Sequence, residues 1–133
     1  MKKEEVPQDS SNLASANMRE LCYAVDQEGN YTTELSTGWN PKTIALDSHM
    51  QDLQMRVENA KNQIKSGTAS PILYFMELKR MDLSVLSGYV GMWGWRVKRH
   101  LKPNVFKRLN HKVLQKYADT FEISIEELKN FNP

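Results

Sequence analysis

Between Gly91 and Pro103 the chain reads Gly-Met-Trp-Gly-Trp-Arg-Val-Lys-Arg-His-Leu-Lys-Pro. Trp93 and Trp95 stand beside four cations, Arg96, Lys98, Arg99 and Lys102. These side chains suit a polyanion. Lysine meets phosphate as a point charge, an arginine fork can also pair with guanine O6 and N7, and an indole can lie along a sugar or touch a thymine methyl.

The charge around this stretch points the same way. The whole chain has 18 basic and 16 acidic side chains, a net +2 that averages two unlike regions. Ten of the basic residues and one acid, Asp82, fall between Lys79 and Lys116, giving +9; the other 95 residues carry eight basic and fifteen acidic groups, giving −7. An excess concentrated in one segment indicates a polyanionic or acidic partner rather than a scattered solvated face.

Other chemistry is poorly supplied. His49, His100 and His111 have unrelated spacing and no Cys or carboxylate pair beside them, so no metal site is expected. Cys22 is the single cysteine, which excludes an intrachain disulfide and fits a reducing, cytoplasmic location. It reads as a small apolar residue at a strand edge. No nucleophile, base and oxyanion set is present, so neither catalytic residues nor cofactors are expected and the chain reads as a non-enzyme. No apolar run approaches the eighteen or so residues of a membrane span, and no membrane partner is expected.

The elements that must position the basic segment are legible in outline. Residues 1–20 are polar and read as a disordered tail. Residues 21–68 read as a β-hairpin and an amphipathic helix. In the hairpin, Cys22–Val25 and Tyr31–Leu35 flank the turn Asp26-Gln-Glu-Gly-Asn30. The helix opens at Asn40-Pro41 and is closed by Gly67, with Leu46, Met50, Leu53, Val57, Ala60 and Ile64 spaced by fours and threes. That stripe fits packing on the protein's own core or a seam between two copies. Residues 69–133 read as several short helices: one opened by Ser70-Pro71, one capped by Asp82 or Ser84, one following Asn110, and one with the Ser124/Glu127 capping box. Leu86, Ser87, Val90, Gly91, Met92 and Val97 describe two helices meeting at a tight turn. Ser87 allows close approach, Gly91 supplies the turn conformation, and Met92 and Val97 fill the corner. The second helix of the pair is expected over Trp93–Lys102.

From about residue 71 to 131 these features resemble the lambda-repressor-like (Xre/Cro-type) helix-turn-helix family. The ending "LQKYADTFEISIEEL", with Ala118, Phe121, Ile123, Ser124, Ile125, Glu126, Glu127 and Leu128, is similar to that family's common ending. The resemblance implies five short helices, the second and third forming the DNA-binding pair. The fold class expected is therefore mainly α, with a five-helix domain preceded by a hairpin and a long amphipathic helix. The resemblance places Trp93, Gly94, Trp95, Lys98, Arg99 and Lys102 toward DNA. Lys98, Arg99 and Lys102 would share a face, with Arg99 reading guanine and the lysines holding phosphates. Lys107, Arg108 and Lys112 would hold the backbone beside the groove. The tryptophans depart from the short polar residues common in the family. Trp95 is assigned either to the outer face or, with the helix rotated, to the core. His100 stands where an apolar residue is commoner, with Leu101 available to take over its packing.

The function these readings imply is a double-stranded DNA-binding protein of the transcription-regulator type, with a homodimer formed through the hairpin or helix 41–65. The alternative is a protein-interaction module, antitoxin-like or an adaptor, docking an acidic protein partner on the Trp93/Trp95 face. Stacking on unpaired RNA bases is a third reading.

Overall fold

The computed structural model describes residues 1–133, and the chain divides into two compact units, Met1–Gln51 and Asp52–Pro133. The boundary lies inside the long helix, not at 68/69 where the sequence pattern placed it.

In the first unit, Asp26 shapes the hairpin turn. Its carboxylate accepts N–H bonds from Glu28 and Asn30, both 2.9 Å, the local bonding that makes aspartate a turn former. Strands β1 (Glu20–Val25) and β2 (Tyr31–Ser36) run antiparallel from it. Leu21 faces Leu35, Tyr23 faces Thr33 and Val25 faces Tyr31.

Residues 1–20, expected as a disordered tail, are folded against this hairpin. A short 3-10 turn at Lys3–Glu5 and helix α1 (Asn12–Ser15) lie along the segment. The Val25 N–H donates to Met1 O and the Asp9 N–H to Gly38 O, both at 3.0 Å. Val6 and Ala24 are buried. The Gln8 amide spans Leu35 O and the Thr37 N–H. Every one of these hydrogen-bond partners is at least twenty-four positions away, so local composition could not reveal them. At Gly38 the fit is close: a Cβ there would stand 2.4 Å from Ser11 Cβ.

The long helix α2 (Asn40–Lys65) begins one residue earlier than a cap at Asn40 implies. Asn40 is already helical, and its N–H donates to the Asp9 carboxylate at 2.9 Å, so a tail residue satisfies the helix end. The apolar stripe does not have one fate. Leu46 and Met50 are exposed in the first unit, whereas Ala60 is buried, and Val57 and Ile64 half-buried, in the second.

The second unit is a cluster of short helices: α3 (Pro71–Leu78), α4 (Leu83–Val90), α5 (Gly94–His100), α6 (Pro103–Phe106), α7 (His111–Phe121) and α8 (Ile125–Lys129). Six helices therefore follow α2, where five were expected. The additional one is α6, opened by Pro103 in the first-turn position that tolerates a missing N–H. Ile72, Leu86, Val97, Leu114, Tyr117, Phe121 and Leu128 form the fully buried centre. The C-terminal half of α2 joins α3 through Arg56–Glu77 at 2.9 Å and through Lys61 above the Tyr74 ring.

Local sequence accounts for most of these ends. Asp82 caps α4 through the Val85 N–H, and Asn110 caps α7 through the Val113 N–H. Ser124 and Glu127 form the reciprocal box at α8. Ser70 behaves differently from an ordinary cap. It is completely buried, its hydroxyl donates to His100 O at 2.9 Å and its N–H to Leu101 O at 2.8 Å, tying the start of α3 to the end of α5.

Candidate nucleic-acid interface

Helices α4 and α5 are joined by Gly91, Met92 and Trp93. Gly91 adopts φ 65°, ψ 40°, the left-handed conformation that glycine accepts without cost, and its N–H closes on Ser87 O. Gly94 then passes close to α4: a Cβ on it would touch Ser87 Oγ at 3.6 Å. Met92 is half-buried and Val97 fully buried, so the corner is filled by the residues the sequence assigned to it.

Burial of Val97 and His100 fixes the rotation of α5. At 100° per residue, Trp95, Lys98 and Arg99 then point away from the core, with Arg96 at the flank. Trp95 is 66% exposed and Trp93 76% exposed. The core alternative for Trp95 is thus excluded, and the helix is not rotated.

The sequence overestimated this helix at both ends. Trp93 precedes it, with extended backbone. Lys102 lies beyond it at φ −79°, ψ 131°, because Pro103 pushes the residue before it out of the helical region. Lys102 therefore does not continue the Lys98/Arg99 face.

Trp95, Arg96, Arg99, Lys107 and Arg108 converge on one open groove of about 710 Å³, completed by Asn104, Val105 and Leu109, with His100 at its base. Lys107 and Arg108 reach it from the end of α6, so the additional helix is what carries them there. Trp93, Lys98, Lys102 and Lys112 do not line it. Lys98 is on the outer face of α5, and Lys112 is in the first turn of α7. Asn104, Val105 and Leu109 are lining residues missed in the sequence; Pro103 was the signal that a new helix would begin there.

The charge at this surface is uncompensated. The salt bridges of the structure use Lys3, Lys42, Arg56, Lys61 and Lys79. None uses any of the eight cations from Arg96 to Lys116, all of which are exposed.

Beneath the groove, His100 is buried, with Nδ1 2.8 Å from the Tyr117 hydroxyl. The histidine thus packs in the core itself, with Leu101 only half-buried beside it. Burial, reinforced by Arg96 and Arg99, holds the imidazole pKa below its ordinary value. Burial also raises that of the Tyr117 phenol. The pair is thereby held neutral and fixes the inner face of α5. No group of three His, Cys, Asp or Glu is arranged to hold a metal ion.

Comparison of the chain with protein-family models, curated proteins and solved structures found no match.

Proposed function

We propose that the second unit binds double-stranded DNA, with α5 facing the major groove in the manner of a helix-turn-helix protein and a role in transcription regulation. The observation that carries this reading is the set of eight exposed, unpaired cations from Arg96 to Lys116, on α5, around α6 and on the first half of α7. On this reading Trp95, Lys98 and Arg99 meet base edges, Arg99 having the fork that matches guanine. Arg96, Lys107 and Arg108 take phosphates along the side groove, and Lys102 and Lys112 contribute charge nearby. The five-helix pattern of the lambda-repressor-like family would accommodate α6 as a short extra turn.

Exposure of both Trp93 and Trp95 favours one second reading, docking of an acidic protein on the same face, since a large indole rimmed by arginine suits an interface centre. Fluorescence anisotropy separates the two. The protein is titrated onto random-sequence duplex and onto single strands of equal length at about 50 and 200 mM salt. Duplex binding in the micromolar range or tighter, lost in Lys98→Ala/Arg99→Ala/Lys102→Ala, supports the proposal. Absence of duplex binding at the lower salt, or preference for the single strand, overturns it.

A further inference from the structure

The hairpin has one face covered and one bare. The N-terminal segment occupies the side of Ala24 and Ser36, burying both with Val6. Strand alternation puts Leu21, Tyr23, Val25, Tyr31, Thr33 and Leu35 on the opposite side. There Tyr31 is 93%, Tyr23 79%, Leu21 55% and Leu35 45% exposed. A two-stranded ribbon with one solvated apolar face is marginal in water, and a further layer would complete it.

We infer that this face packs against the same face of a second copy of the chain, forming a two-fold dimer through the hairpins. Charge selects the occupant. All six residues on the face are uncharged, so it offers no counter-charge to a polyanion or to a charged peptide, while two copies meet without repulsion. The face is also self-complementary. A two-fold axis in the interface plane near Tyr23 and Thr33 lays the Leu21/Leu35 pair of one copy on the Val25/Tyr31 pair of the other.

The area is sufficient. With about 200 Å² per tyrosine, the two rings offer roughly 340 Å², and the two half-exposed leucines bring the patch to roughly 500 Å². Two copies together bury at most roughly 1,000 Å², the lower bound for a specific interface, so a reversible dimer is expected. The exposed residues of α2 are not required. The association is also independent of DNA binding, so the two readings fail separately.

The test is sedimentation equilibrium of the full chain in nucleic-acid-free buffer from about 1 to 200 µM. The expected result is a mass rising from 15.4 kDa to a plateau at twice that value. Tyr23→Lys/Tyr31→Lys puts four like charges into the interface and is expected to weaken association at least about 30-fold. Both tyrosines are exposed within one chain, so the circular dichroism spectrum stays that of the wild type. A second measurement leaves both tyrosines in place. Cys22→Ser/Thr33→Cys is expected to give a covalent dimer with a short bismaleimide, since packed sheets stand about 10 Å apart. A 15.4 kDa monomer throughout, a mass that climbs without a dimer plateau, or a dimer unaffected by the lysines overturns the inference. So does loss of the dimer in Leu46→Glu with the hairpin intact, which would move the seam to α2.

Discussion

Neutralising Lys107 and Arg108 together tests whether the groove beside α5 holds phosphates. Both side chains are exposed, line the groove and form no ion pair, so Lys107→Gln/Arg108→Gln should leave stability within about 0.5 kcal/mol. Each lost phosphate contact removes about 0.9 from the slope of log K against log salt, so the pair removes about 1.8. Relative to 1 M salt, that amounts to about 60-fold in affinity at 0.1 M, or about 2.5 kcal/mol, and only about 3-fold at 0.5 M. Anisotropy titrations on one duplex at several salt concentrations read both slope and intercept. Arg56→Gln is the control, because Arg56 is already paired with Glu77 at 2.9 Å and lies on α2. A wild-type slope in the double variant, or an equal loss in Arg56→Gln, would refute the assignment of Lys107 and Arg108 to phosphates.

Trp95→Ala should shift the same salt plot downward by about 1–2 kcal/mol in parallel, without changing its slope, because an indole releases no counterions; thermal melting should be nearly unchanged, since the ring is exposed. His100 gives a pH signature. Its depressed folded pKa means that the unfolded chain binds the proton more readily, so stability is full above the ordinary value near 6.5 and declines as pH falls toward the folded value. Urea denaturation from pH 8 to pH 5 should show this decline, and His100→Gln should flatten it. Gly91→Ala forces a Cβ into the left-handed region and should cost about 1–2 kcal/mol in denaturant midpoint measurements. Asp82→Ala should cost about 1 kcal/mol by losing the bond to the Val85 N–H, with the melting temperature as readout.

The sequence by itself determined the features that depend on near neighbours. The hairpin turn follows from Asp26 and Gly29, the helix starts from Asp82, Asn110 and Ser124, and the α4–α5 corner from Ser87, Gly91 and Val97. Their interactions span four residues or fewer, or follow helical periodicity, so residue type and spacing are enough. The concentration of charge between Lys79 and Lys116 was legible for the same reason. Pro103 was also in plain view, and its effect on Lys102 is local; the expected helix end at Lys102 overlooked it.

Tertiary structure decided the rest. Which way Trp95 points depends on Val97 and His100 entering a core built with Tyr117, seventeen positions beyond His100, and no pattern within α5 fixes that. The groove exists because α6 brings Lys107 and Arg108 to Arg96 and Arg99. The N-terminal segment folds because Gln8, Asp9 and Ser11 find their partners between Leu35 and Asn40. A polar sequence is equally compatible with solvation until those partners are supplied. The stripe of α2 shows the same limit, since a continuous row of apolar residues specifies a buried face but not which neighbour covers each half.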